Sequence, residues 1–96
     1  MKYNIEISEA AYVELAEAMA WYETQQAGLG EELEADMDQA LLILQRNPFY
    51  EVRYRNLRVF NLERFPFQII YIVFNQTIRV ISFFHAHRDP EIWKSK

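Results

Sequence analysis

The sequence predicts an α+β domain in which a helical hairpin packs on a small, mainly antiparallel sheet. Three observations carry this. The chain opens on a short two-residue alternation. Two stretches of helical spacing follow, only a few residues apart. The second half then turns to runs rich in aromatic and β-branched residues. The expected order is β-α-α-β-β-β with a short C-terminal helix. Residues 1–96 make one domain, long enough for one core and too short for two.

Lys2 to Ile7 alternates aromatic or aliphatic with polar residues, the pattern of a half-buried strand. Ser8 offers an N-cap hydroxyl, and Glu9 places negative charge at the positive end of the helix that follows. Val13, Ala16, Ala20 and Ala27 recur at helical spacing and mark the expected inner stripe, with Glu14 and Glu17 on the other side. The helix should stop near Gly28, a residue suited to a left-handed cap. A second helix is expected from about Glu31 to Arg46, with Leu33, Met37, Ala40, Leu41 and Leu44 facing inward and Glu34, Asp38 and Gln45 outward. Asn47-Pro48 ends it, because proline cannot continue the hydrogen-bond ladder.

Beyond Pro48 the period changes. Tyr54 to Phe60, Phe65 to Phe74 and Thr77 to His85 read as three strands, with Asn75-Gln76 as the polar break of a short hairpin. Asp89-Pro90 favours a short terminal helix from Pro90 to Lys94.

Composition narrows the function classes. Half the residues are apolar (51%) and a quarter are charged (25%), which is globular rather than disordered composition. With no cysteine, disulfides and thiolate metal sites are excluded. Glu6 and Glu9 interrupt any apolar leader, and the Phe65–Phe74 run is far short of a membrane span. The expectation is a soluble, cytoplasmic protein without a membrane partner.

The net charge of −4 argues against a nucleic-acid binder, but the charge is unevenly placed. Residues 1–45 hold ten acids against Lys2 alone, a balance of −9. Residues 46–96 hold nine bases against four acids, a balance of +5. One cationic face on an acidic molecule would produce this. So would the ordinary preference of helices for glutamate, and the sequence leaves both readings open.

The motifs are more specific. Residues 2–23 (KYNIEISEAAYVELAEAMAWYE), 33–49 (LEADMDQALLILQRNPF), 57–73 (LRVFNLERFPFQIIYIV) and 81–93 (ISFFHAHRDPEIW) together resemble the RelE/ParE toxin superfamily along nearly the whole chain. The ending, His85-x-x-Arg88-Asp89-Pro90-x-x-Trp93, resembles the ParE-like branch more than the RelE-like ribonucleases.

The resemblance implies the toxin of a bacterial type II toxin–antitoxin pair, of the kind tied to plasmid stabilisation and growth inhibition. A cognate antitoxin would wrap and neutralise it. The first helix fits such a role, because its apolar residues go round more than one face. Tyr12, Met19, Trp21 and Tyr22 are the antitoxin-binding candidates. The alternative is that Trp21 and Tyr22 simply close a small core. A homodimer and a toxin–antitoxin hetero-oligomer both remain open.

Two modes of action follow from the resemblance. A ParE-like toxin binds an essential target, with DNA gyrase as the family example, and is no enzyme. A RelE-like toxin is a metal-independent endoribonuclease that cuts mRNA on the ribosome. The second needs a base, an acid and cations around the phosphate, and Arg58, Arg64, His85 and Arg88 are the candidates. Arg58, Arg64, Arg79 and Arg88 would form the basic face toward target or nucleic acid. His85 is read in preference as a hydrogen-bonded core histidine, and a dense cationic cluster is lacking, so a non-enzymatic toxin is favoured. A non-toxic interaction domain of the same fold is a further alternative. No cofactor and no metal are expected, since His85, His87 and Asp89 do not supply a converging ligand set with its supporting shell.

Overall fold

The computed structural model describes residues 2–50 and 52–86. Strand β1 (Asn4–Ile7) is followed by helices α1 (Glu9–Gln25) and α2 (Leu29–Arg46). Strands β2 (Val52–Tyr54), β3 (Leu57–Asn61), β4 (Phe67–Phe74) and β5 (Thr77–His85) complete one sheet in the order β1-β5-β4-β3-β2. Only the β1–β5 pairing is parallel; β2–β3, β3–β4 and β4–β5 are antiparallel. The predicted α+β arrangement of helical hairpin and mainly antiparallel sheet is present. The predicted terminal helix from Pro90 to Lys94 lies outside the described residues.

Ser8 starts α1 as expected, its Oγ accepting the Ala11 N–H at 3.1 Å. The buried side of α1 is a correction to the sequence reading. Val13, Ala16, Ala20 and Ala27 are exposed, whereas Ala11 is buried and Leu15, Ala18, Met19 and Tyr22 pack against the core. The cause is that apolar residues surround this helix, so spacing alone cannot select a face; the larger Leu15, Met19 and Tyr22 bury more area than three alanines would. Gly28 does adopt the left-handed conformation, at φ +93°, but as the N-cap of α2 rather than the cap of α1, whose C-cap is Gln26. Gly30 lets the helices approach closely: a Cβ there would lie 2.8 Å from the Met19 carbonyl oxygen.

The α2 stripe is as predicted. Leu33, Met37, Ala40 and Leu44 are buried against the sheet. Leu33 and Leu44 are wholly inaccessible, each worth about 1.5–3 kcal/mol relative to exposure. They meet Ile69, Tyr71, Ile78, Val80 and Phe83 from β4 and β5. The Tyr71 hydroxyl donates to the Pro48 carbonyl at 2.7 Å, and burial pushes its pKa up to about 12. Val59, Ile70 and Phe84 form a second, smaller cluster with Tyr54 and Leu57.

The stretch expected as one strand from Tyr54 to Phe60 is folded into a hairpin. A turn at Arg55-Asn56, with Arg55 at φ 55°, separates β2 from β3. The β4–β5 hairpin turns at Asn75-Gln76, both at positive φ (44° and 64°), which is the twist two-residue hairpin loops require. On β5, Ile81 is an extra residue between the Tyr71–Val80 and Ile70–Ser82 pairs.

Candidate functional site

β1 is shorter than β5, so part of the β5 edge would be left unpaired. Side chains take over where β1 stops. The Ser8 N–H donates to the Val80 carbonyl (2.9 Å), and its Oγ donates to the Ile81 carbonyl (3.0 Å). One turn into α1, the Glu14 carboxylate accepts the Ser82 hydroxyl (3.0 Å) and the Phe83 N–H (3.1 Å). These bonds tie the first half of α1 to the β5 edge, and a cleft lies further along the helix.

That cleft has a volume of about 360 Å³ and lies between the C-terminal half of α1 and the ends of β4 and β5 where Phe67 pairs with His85. Glu14, Glu17, Ala18, Trp21 and Tyr22 line it from the helix, and Phe67, Phe83 and His85 from the sheet. Phe67 and Phe83 stack at 4.6 Å, and His85 stands edge-on to Phe67 at 5.0 Å. Trp21 and Tyr22 meet edge-to-face at 5.0 Å, and Tyr22 leans on Phe65 at 5.1 Å. The walls are aromatic and the two carboxylates are acidic. Among the described lining residues His85 is the one nitrogen base.

Of the candidate cations, Arg58, Arg64 and Arg79 do not gather here. Phe67 is the cross-strand partner of His85, whereas Arg58 pairs with Tyr71, four residues further along β4 and therefore about 13 Å away along the strand. Arg58 donates to the Tyr50 carbonyl (2.5 Å) and lies 5.2 Å from the Phe49 ring centroid. Arg64 shares the His85 end of the sheet, yet its guanidinium is paired with Glu32 at 2.6 Å. Arg58 is in register with Tyr71 and Val80, and Arg79 is the neighbour of Val80, so Arg58 and Arg79 point to opposite faces. The single basic face expected from Arg58, Arg64, Arg79 and Arg88 is thus divided by the strand period; Arg88 itself lies outside the described residues.

The four candidates for partner binding also separate. Tyr12 and Trp21 are each 58% exposed. Nine residues of helix put them half a turn apart, on opposite flanks of the buried stripe. Met19 and Tyr22 are half-buried between them. Trp21 and Tyr22 belong to the cleft; Tyr12 does not.

Two acidic anchors were not anticipated. Asp36 is buried on α2 and accepts the N–H groups of Arg64 (2.9 Å) and Phe65 (3.1 Å), which fixes the β3–β4 connection. Its place in the Leu33–Met37–Ala40 stripe was the available signal. Glu23 accepts the N–H groups of Gly28 (2.8 Å) and Gly30 (3.0 Å) at the start of α2, and these bonds hold its pKa below the ordinary value. Among the described residues no helix is long and apolar enough to cross a membrane.

No protein-family model matches the chain. No curated protein sequence matches it either. Solved structures do. A chain of the chromosomal ParDE TA system from P. aeruginosa superimposes with a TM-score of 0.80 at 15% identity, covering 90% of this chain and 98% of that one. The isolated E. coli RelE toxin superimposes with a TM-score of 0.52 at 16% identity, covering 97% of this chain and 94% of that one. At such identities the likeness is one of fold. The helical hairpin on its five-stranded sheet is the fold shared with the ParDE and RelE proteins, the same group that the sequence motifs resemble.

Proposed function

We propose that this chain is the toxin of a type II toxin–antitoxin pair, ParE-like in action, neutralised in the cytoplasm by a cognate antitoxin. The observation that carries this reading is the match to the P. aeruginosa ParDE chain across 98% of that chain's length. The segments that resemble the superfamily in sequence, at residues 2–23, 33–49 and 57–73, supply the α1, α2 and β3–β4 elements of that fold. Exposed apolar side chains on α1, Tyr12, Val13 and Trp21, provide surface that a wrapping partner would cover.

Target binding is favoured over RNA cleavage by the geometry around His85. A phosphate in transit needs converging cations. The described walls of the His85 cleft instead present Glu14 and Glu17, while Arg58 and Arg64 are engaged elsewhere. DNA gyrase is the target the resemblance suggests.

The test is expression of the gene alone and with the short reading frame beside it. Growth arrest on sole induction, relief on co-expression and a stable co-eluting complex are expected. Purified chain should then inhibit supercoiling by gyrase. Normal growth together with two separately eluting proteins would remove the toxin reading, and unimpaired supercoiling would remove gyrase alone.

A further inference from the structure

The cleft beside His85 has a chemistry that the toxin reading does not by itself assign. Its described walls include Trp21, Tyr22, Phe67, Phe83 and His85, and two carboxylates, Glu14 and Glu17, stand on its helical side. Aromatic faces carry partial negative charge, and a carboxylate beside them adds a full one. Among the described lining residues an anion meets two carboxylates and negative ring faces. A cation with an aliphatic stem meets apolar wall along its length and negative charge at its head.

We propose that this cleft receives an arginine side chain presented by a protein partner. Three observations select that occupant. The volume of about 360 Å³ accommodates a side chain and is at the lower limit for a free small-molecule ligand. Trp21, 58% exposed, offers an indole surface on which a planar guanidinium stacks. Glu17 is exposed on the same wall, and the described residues give it no ion-pair partner, so it can accept the fork of the guanidinium. Glu14, on the same wall, is held in place by the Ser82 hydroxyl and the Phe83 N–H. Lysine fills the same space but lacks the planar stack, so arginine is preferred.

The identification of the partner as an antitoxin rests on the function proposed above. The preference for a cation does not, and the experiment separates the two. The probe is an acetylated, amidated heptapeptide with one central arginine between alanines, titrated into the full chain and followed by the Trp21 indole and backbone amide resonances. Saturable shifts confined to Trp21, Tyr22, Glu17 and His85 are expected, with a dissociation constant on the order of millimolar for so small a ligand. Replacing the arginine by citrulline, which keeps shape and loses charge, should weaken binding at least about fivefold, as should Trp21→Ala, with Glu17→Gln giving about threefold. Both positions are exposed, and an unchanged amide spectrum elsewhere shows that the variants fold.

Equal binding of the citrulline peptide overturns the proposal. So does tighter binding of a peptide carrying phosphoserine in place of arginine, which would make this an anion site. Binding that emerges only in Arg88→Gln protein overturns it too, since the occupant would then be the chain's own arginine. Peptide binding as expected, combined with failure of the neighbouring gene product to bind, would leave the cleft assignment intact and remove the antitoxin reading.

Discussion

The Glu14 carboxylate accepts the Phe83 N–H across 69 positions of sequence, and in doing so occupies the place of a missing strand at the edge of β5. The same carboxylate takes the Ser82 hydroxyl, so one helical side chain satisfies both a backbone donor beyond the end of β1 and a neighbouring hydroxyl. Glu14→Ala leaves the Phe83 N–H and the Ser82 hydroxyl without that acceptor. A loss of about 1–3 kcal/mol follows, the cost of a buried donor deprived of its partner. Glu14→Gln retains one oxygen and should lose less. Urea denaturation reads the difference as a shift of midpoint at constant slope. An unshifted midpoint for Glu14→Ala would mean that these two bonds contribute nothing measurable to holding the β5 edge.

This relationship also shows where sequence reasoning stops. The α2 stripe and the Asn75-Gln76 hairpin were legible because each depends on neighbours within a few positions: apolar residues every third or fourth place, or two polar residues between strand-forming runs. The inner face of α1 was not legible. Val13 and Leu15 are equally apolar, and only the sheet decides that Leu15 packs inward and Val13 faces out. The charge of Glu14 points outward by residue type, yet its carboxylate oxygens are the acceptors that the open β5 edge lacks. The fate of the basic residues turned on strand register. Arg58 and Arg79 are both plausible members of one face until pairing through Tyr71 and Val80 sends them apart. The division of Tyr54–Phe60 by a turn followed from Arg55 adopting positive φ, which its residue type does not announce.

Asp36 holds the β3–β4 connection by accepting both the Arg64 and Phe65 N–H groups on one oxygen. Asp36→Ala should lower stability by about 1–3 kcal/mol. It should also speed exchange of the Arg64 and Phe65 amides selectively, because their acceptor is gone while the sheet amides keep theirs. Hydrogen exchange distinguishes this local release from a general weakening. Uniformly faster exchange throughout the chain would contradict a role confined to the connection.

Gly30 sits where helix propensity and packing disagree. Alanine is the better helix former by about 1 kcal/mol in an open helix. Here the new methyl carbon would stand 2.8 Å from the Met19 carbonyl oxygen and 3.0 Å from Glu23 Oε1. The first of these is backbone and can yield only by moving α1 away from α2. Overpacking of this kind costs about 1–3 kcal/mol, so Gly30→Ala is expected to lower the thermal midpoint despite its propensity gain. A raised midpoint would show that the helix pair has slack at this crossing.

Glu23 gives the fold a pH dependence whose sign can be worked out. Its carboxylate is bonded to the Gly28 and Gly30 N–H groups, and these bonds hold its pKa below the ordinary value of 4.5. A carboxylate with a lowered pKa in the folded state binds its proton less tightly there than in the unfolded chain. Its stabilising contribution is therefore complete above 4.5 and is lost as pH falls through the folded-state value. Glu23→Gln removes the charge at every pH. The midpoint difference between wild type and Glu23→Gln should be largest near neutral pH, constant down to about pH 5, and should shrink steadily below it. Thermal melts at pH 7, 5, 4 and 3 measure that course. A difference that stays constant to pH 3 would mean that the two N–H bonds act by geometry and not by charge. A difference that grows on acidification would reverse the sign and rule out the carboxylate as the group responsible.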